Sequence, residues 1–553
     1  MSELKIAILG NYSLQFLHRS LKKACSHFTD VTFYEADFNS TDQEILNPHS
    51  SLYSFAPDYI VWHESALGLR DRFYTLDATE KTNFAKDLIG RLGGLLQTLQ
   101  KHLPGAVVFF PIPAPAPDGV FGNLFSKVPH SWQYQASHLN WLLTALSDRT
   151  TNLYLIDNFA AGDTVVTDWQ QVVAASLHFT PDYLDSLAAA ITRFIGAFQG
   201  QAKKCLVMDL DNVLWGGVVA EDGLEGIALG PNGTGSAYTR LQHWIRQLAQ
   251  RGIILAVCSK NDEEMAMLPF QRHPEMILAL EDIAVFIANW NSKADNIDRM
   301  REVLNIGFDS MVFLDDSPVE REIIRRFIPG ICVPELPPDP SEYLPYLISL
   351  NLFETASYSA NDAARTQQYR EEASRVAHRD SITSMDDFLA SLQMVATLGP
   401  FIPDDYDRIA QLSQRSNQFN LCSARYTADH VRLMAEDPAR YALAIRLRDK
   451  FGSYGLTGII TATLHDHEAT LDNWLMSCRV LKRDVEQLML NTMVHDLHAK
   501  GVRLLHASYT RTAKNSMVAG LLPSMGFTPA HSANQYTLNL HDYNPATIHI
   551  TIE

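Results

Sequence analysis

Between residues 1 and 200, short apolar runs at Ile6–Leu9, Tyr59–Trp62, Val107–Phe110 and Leu153–Ile156 alternate with stretches of helical period such as Lys81–Lys101. Continuous apolar runs bounded by loops suit strands buried on both faces, so the rhythm predicts a parallel α/β sheet. The opening MSELKIAILGNYSL has no basic n-region or small-residue cleavage site and reads as a first buried strand, Leu4–Leu9, so no export signal is expected. A second block, residues 201–350, starts with the strand Cys205–Leu210, passes through a helix around Gln242–Gln250, and reaches the strand Ile253–Val257, which ends in CSKND. A further helix, the run WNSKADNI and the strand in MVFLDDSP follow, and PELPPDPSEYL reads as a proline-marked linker. Residues 351–553 open on a polar helical region, Asn361–His378, and continue as alternating strands with one charged helix, which predicts an α+β domain.

Composition narrows what this three-domain α/β chain can be. Its 553 residues carry 45 basic and 63 acidic side chains, a formal charge of −18 that argues against non-specific nucleic-acid binding. Nothing approaches the roughly 18 consecutive apolar residues of a membrane span. The six cysteines form no CxxC pair and no zinc spacing, as expected of a reducing, cytoplasmic setting in which most are small core residues.

The candidate chemistry sits at strand ends. Asp209 and Asp211 lie two residues apart where a buried strand unwinds, so their carboxylates converge, and like charges this close call for a shared cation. Hard carboxylate oxygens favour Mg²⁺, which binds phosphate oxygens too. The other strand ends supply a hydroxyl (Ser259), a fixed cation (Lys293) and two further carboxylates (Asp315 and Asp316), the parts that phosphoryl transfer needs.

In this order the residues resemble the four motifs of the haloacid dehalogenase (HAD) superfamily. The resemblance implies Asp209 as nucleophile, Asp211 as acid/base and main-chain metal ligand, Ser259 and Lys293 as phosphate holders, and Asp315 with Asp316 as the metal end, Asp316 being the favoured direct ligand. The spacing from Asp211 to Ser259 and from Ser259 to Lys293 leaves no room for a large cap, which favours a bulky or macromolecular acceptor. The longer run CLVMDLDNVLWGGVVAEDGLEGIALG, with LAVCSKND, HPEMIL, DSMVFLDDSPVEREIIR, VPELPPDP and, further on, NQFNL and SCRVLKRDVE, resembles the FkbH-like family. That resemblance implies transfer of a glyceryl group from 1,3-bisphosphoglycerate to the phosphopantetheine thiol of an acyl carrier protein, with dephosphorylation, in polyketide biosynthesis of the tetronate or methoxymalonyl type. An acyl acceptor is then needed. Cys258, beside Ser259 and Lys293, is one candidate and Cys478 its rival.

The flanking domains resemble known folds with their chemistry altered. Gly10, Asn11, Ser13, Asn123 and His178 resemble the SGNH hydrolases, but Gly10-Asn11-Tyr12-Ser13 replaces Gly-Asp-Ser and Ala175 replaces the acid three residues before the histidine. A serine and histidine without that acid imply a scaffold or docking domain. The last domain resembles the GNAT acyltransferases, with Lys482 and Asp484 in place of the glycines of the pyrophosphate loop and Leu522 in place of the tyrosine acid. What this implies is a groove for a phosphopantetheine arm, with Arg415, Asn417, Gln418, Asn420, Arg479 and Asn515 as possible contacts. A HAD phosphatase acting on a small phosphate ester, and a non-catalytic scaffold that recruits a carrier protein, are the alternatives.

Overall fold

The computed structural model describes residues 3–28, 30–114, 116–158, 164–358, 368, 369, 371, 375, 378, 379, 382, 384–512, 514–530 and 534–553. The expected helical region Asn361–His378 falls largely outside them. The chain divides into two compact units, residues 1–195 and 196–553. No helix among the described residues is long and apolar enough to cross a membrane.

The first unit is built on a parallel sheet of β1 (Leu4–Gly10), β2 (Val31–Glu35), β3 (Tyr59–His63), β4 (Val107–Pro111) and β5 (Leu153–Ile156), in the order β2-β1-β3-β4-β5. The four strands expected from apolar runs are present. β2, VTFYE, was not expected: it is a half-buried edge strand with no continuous apolar run to mark it. Gly10 ends β1 because a Cβ there would stand 2.4 Å from the His63 carbonyl of β3. Helix α1 (Ala66–Tyr74) follows β3, and the long α2 (Ala78–His102) starts from a capping box in which Asp77 accepts from Glu80 N (2.9 Å) and Glu80 from Asp77 N (2.9 Å). α3 (Trp132–Asp148) packs against α2.

The second unit holds two sheets. One is parallel, with β6 (Cys205–Met208), β7 (Ile254–Ser259), β8 (Ile283–Ala288) and β9 (Met311–Leu314) in the order β8-β7-β6-β9. Its helices are α4 (Gly235–Gln250), α5 (Glu263–Arg272), α6 (Lys293–Leu304) and α7 (Pro318–Phe327). β8 fills a stretch that the sequence reading left to a single helix. The proline-rich segment after α7 is not a free linker, since Leu336, Tyr343, Leu347 and Phe353 are buried in the core of this sheet.

The other sheet is mixed, with eight strands in the order β15-β16-β14-β13-β12-β11-β10-β17. They are β10 (Met394–Gly399), β11 (Arg440–Asp449), β12 (Gly452–Leu464), β13 (Glu468–Met476), β14 (Leu504–Ser508), β15 (Thr528–Pro529), β16 (Gln535–Asn539) and β17 (Ile550–Ile552). Helices α8 (Tyr406–Arg415), α9 (Ala428–Glu436) and α10 (Val485–Ala499) belong to it. β13 and β14 pair only over Glu468–Thr470 with Leu504–His506. Beyond that, residues 419–421 take the exposed edge of β13: Leu421 N donates to Trp474 O (2.9 Å), Met476 N to Phe419 O (3.0 Å), and Thr510 N to Leu421 O (3.1 Å).

One buried histidine makes the first unit sensitive to acid. His63 ends β3 with no exposed surface, its Nδ1 2.8 Å from the Tyr12 hydroxyl, and burial pulls the imidazole down to about 3 from its ordinary 6.5. Because the folded value is depressed, the stabilising contribution is complete above the unfolded pKa and is lost as pH falls from about 6.5 toward the folded value, by up to about 1.4 kcal/mol per pH unit. Hydrogen-exchange protection in β1 and β3 is therefore expected to fall between pH 7 and 5, and to fall less steeply in His63→Gln.

Candidate functional site

Each part of the central site follows from a strand that stops. β6 ends at Met208, and the next residue, Asp209, donates its N–H to Leu314 O of β9 (2.9 Å) while its Oδ1 accepts from Leu210 N (2.8 Å). β9 ends at Leu314, which puts Asp315 and Asp316 at the neighbouring strand end. The ammonium of Lys293, first residue of α6, reaches across to Asp209 Oδ2 (2.6 Å) and Asp315 Oδ2 (2.5 Å). Carboxylate oxygens of Asp209, Asp315 and Asp316 lie within 4.8 Å of one another.

Electrostatics explains how such a cluster folds. Burial, and then the charge of Asp209, raise both Asp315 and Asp316 above the ordinary carboxylate range. Burial opposes the ammonium of Lys293, but Asp209 and Asp315 outweigh it and keep the lysine protonated. Asp315 Oδ1 also accepts from Ser317 N (2.9 Å), and buried Arg321 donates one Nη1 to the main-chain carbonyls of Asp315 (2.8 Å) and Asp316 (2.7 Å). Three hard oxygen donors around one point are the set that Mg²⁺ takes, so the residues present fit that ion.

Asp211 stands one step along the loop. Its Oδ1 accepts from Trp215 Nε1 (2.9 Å) and Val219 N (3.0 Å), its Oδ2 from Asn261 Nδ2 (3.2 Å), and burial raises its carboxyl above the ordinary range. Ser259, the last residue of β7, is buried at the next strand end. Arg321 and Asn261 were missed in the sequence. Asn261 had a signal, since it follows Ser259 by two residues at a strand end; Arg321 had none, because its role depends on the fold of α7 around the Asp315–Asp316 turn.

Other candidates are placed elsewhere. Cys258 has no exposed surface and packs with Val207, Ile297, Met300 and Phe313. Its thiol donates weakly to Lys293 O (3.8 Å), and burial, opposed by Lys293, pushes it up to about 12. Strand alternation turns Cys258 into the core under α6, so its reading as acyl acceptor is corrected. Asn420 and Asn515 belong to the segment that fills the gap beside β13. Asn515 Nδ2 donates to Asn420 O (3.0 Å) and Thr510 O (2.8 Å), and Asn420 Nδ2 to Ser416 O (3.5 Å) and Ala424 O (3.3 Å), so neither amide nitrogen is available to a ligand. Asn417 is similarly used, donating to Gly200 O (2.7 Å) and accepting from Arg425 (2.6 Å). Arg415, Asn417, Gln418, Cys478 and Arg479 nonetheless line a common cavity.

In the loop that carries Lys482 and Asp484, Glu486 Oε1 accepts from Lys482 N (3.1 Å). In the first unit His178 Nδ1 meets Ser65 Oγ (2.7 Å), while Ser13 and Asn123 are exposed. Ser65 is buried and caps α1, its N–H held by Asn11 Oδ1 (2.7 Å).

Residues 5–195 match the family described as FkbH, N-terminal domain. Among solved structures the chain is similar to the N-terminal part of a Bacteroides fragilis protein, containing a phosphatase domain and complexed with Mg, at 39% identity over 64% of this chain and 95% of that one, with a TM-score of 0.62. It is also similar to the Escherichia coli ribosomal-protein-S18-alanine N-acetyltransferase (15% identity, 26% of this chain and 90% of that one, TM-score 0.20) and to a GNAT-family acetyltransferase of Streptococcus pneumoniae (15%, 26% and 96%, TM-score 0.20). No curated protein matches the chain at a significant level. The parallel sheet of β6 to β9 with its strand-end carboxylates is a HAD-like domain of the phosphatase type. The chain belongs to the FkbH-like family.

The position of Cys258 gives a direct check. Iodoacetamide at pH 8 is expected to leave Cys258 unalkylated in the folded protein and to modify it fully in denaturant, as read by peptide mass spectrometry. Rapid labelling of Cys258 in the folded state would contradict its burial.

Proposed function

We propose that the chain is a Mg²⁺-dependent glyceryltransferase and phosphatase of the cytoplasm, acting on 1,3-bisphosphoglycerate and an acyl carrier protein in polyketide biosynthesis. The observation that carries the phosphatase half is the convergence of Asp209, Asp315 and Asp316 around the Lys293 ammonium. The transferase half rests on membership of the FkbH-like family.

The substrate has an acyl phosphate at C1 and a phosphate ester at C3. At the acyl phosphate, a thiolate forms a bond to the acyl carbon and the C1–O bond to phosphate breaks, which releases inorganic phosphate and leaves a thioester. At the ester, Asp209 attacks phosphorus while Asp211, whose carboxyl is raised above the ordinary range by burial, gives a proton to the departing alkoxide oxygen. Asp211 then takes a proton from the water that hydrolyses the aspartyl phosphate. Asp211 Oδ1 is held by two N–H groups, which leaves Oδ2, with its single longer contact, to carry the proton. Lys293 uses two of its three N–H bonds on carboxylates and has the third for a phosphoryl oxygen. Asp209 and Asp316, with the main-chain carbonyl of Asp211 and with Asp315 in support, would hold Mg²⁺, which when bound draws negative charge from the phosphoryl group.

The acyl acceptor is either Cys478, which is half-buried, or the phosphopantetheine thiol acting directly. A plain phosphatase is the second reading, favoured by the burial and protonation of Cys258.

Two variants and one labelling experiment separate these readings. Asp209→Asn is expected to keep its circular dichroism spectrum and lose phosphate-ester hydrolysis by at least about a thousandfold, with Asp211→Asn losing roughly a hundredfold or more. Hydrolysis at the wild-type rate by folded Asp209→Asn would remove the phosphatase centre. With 1,3-bisphosphoglycerate and Mg²⁺, a hydroxylamine-sensitive glyceryl adduct at Cys478, discharged by holo carrier protein, supports the enzyme thioester. Carrier loading without any adduct supports direct attack. Ester hydrolysis with no loading at all leaves the plain phosphatase.

A further inference from the structure

The second unit contains a cavity of about 260 Å³ at the opposite edge of the HAD-like sheet from the carboxylate cluster. One wall comes from the amino ends of that sheet, with Lys204 just before β6 and Asp309 and Ser310 just before β9; the other comes from α8, the loop after it and the end of β13. Lys204 precedes β6 and Asp209 follows it, so the two ends are roughly 16 Å apart at ~3.3 Å per residue. A small molecule bound at one edge does not touch the other.

The lining is strongly cationic. Lys204, Arg408, Arg415, Arg479 and Lys514 line it, against the single carboxylate of Asp309 among the described lining residues. Burial raises the Asp309 carboxyl, but Lys514 and, behind it, Lys204 and Lys203 outweigh that effect and hold it below the ordinary carboxylate range, a local sign of positive potential. Arg479 is the most informative residue. It is 5% exposed, and its described contacts are all to neutral groups: Ser477 Oγ, Gln368 Oε1, Tyr454 O and the ring of Tyr369. A guanidinium has five N–H donors, and the three hydrogen-bonded partners leave two unspent. A buried cation without a carboxylate is costly unless an anion joins it. Phe419, Met476, Leu412 and Ile306 provide apolar wall beside these charges.

The walls are also tied together. Asn305 Nδ2 donates to Cys478 O (2.6 Å), Lys204 Nζ to Arg415 O (2.7 Å), and Lys514 pairs with Asp309. The cavity is thus a built feature of the junction between the two sheets and not a gap between loose surfaces.

We infer that this cavity is a binding site for an organic phosphate: a phosphate group met by Arg479 and its neighbouring cations, with a short carbon chain lying along the apolar wall past Cys478. It is a second anion site, independent of the metal cluster, and it stands whether or not the phosphatase reading does. The phosphate can come from the phosphopantetheine arm of a carrier or from a free phosphorylated acid.

The test is calorimetric titration of the full-length protein in EDTA, where the metal-free carboxylate cluster repels phosphate, with 4′-phosphopantetheine and with 3-phosphoglycerate as probes. At least one is expected to bind, at least tenfold more weakly in Arg479→Gln and severalfold more weakly in Lys514→Gln, and equally well in Asp209→Asn. The half-exposed Lys514 keeps the test valid if Arg479→Gln does not fold. Bound ligand is expected to slow alkylation of Cys478. Binding of phosphopantetheine alone identifies the carrier arm, and binding of 3-phosphoglycerate alone identifies a free acid. Absence of binding by both, binding indifferent to both cavity variants, or binding lost in Asp209→Asn would each overturn the inference.

Discussion

Lys293 places one buried ammonium between Asp209 and Asp315, and the geometry of the central site depends on that contact. Three carboxylates within 4.8 Å of one another would repel by about 4 kcal/mol per ionised pair at ~4 Å and an effective dielectric near 20. A single lysine offsets part of this and leaves the rest for a divalent cation, so the fold holds a site whose charge is balanced only when metal is present. The same contact joins α6 to the ends of β6 and β9, so the ammonium and the carboxylates are located by one interaction.

The two edges of the HAD-like sheet differ in charge. Its carboxyl edge gathers the acids, as parallel sheets do where their strands end in loops. Its amino edge meets α8 and the end of β13 and carries cations. In the eight-stranded sheet the opening between β13 and β14 is filled by residues 419–421, and Glu486 accepts from the N–H of Lys482. The eight-stranded sheet is closed beside β13, and the cavity that remains faces the HAD-like sheet.

The carboxylate cluster at the carboxyl edge was legible in the chain because each of its members follows an apolar run: Asp209 after CLVM, Asp315 and Asp316 after MVFL. Cys258 misled for the same reason. It lies one residue inside the strand, where alternation sends it to the core, and adjacency to Ser259 in sequence says nothing of face. β8 was passed over although IAVFIA is apolar, because a short run of this kind does not declare whether it is strand or helix. The plug at residues 419–421 was illegible. Its hydrogen bonds go to Trp474, Met476 and Thr510, more than fifty positions away, and no local pattern encodes such a pairing. The amino-edge cavity was legible only in part: Arg415, Asn417, Gln418 and Arg479 were expected beside one groove, whereas Lys204, Arg408 and Lys514 come from segments that sequence order scatters.

A carboxylate oxygen of Asp209 is proposed as the atom that meets phosphorus, and a crystal structure of the protein with Mg²⁺ and beryllofluoride tests this most directly. Beryllium is expected on an Asp209 carboxylate oxygen, with a fluorine within hydrogen-bond distance of Lys293 Nζ and the metal between Asp209 and Asp316. Beryllofluoride bound to Asp211, or a metal site that leaves Asp209 uncoordinated, would contradict it.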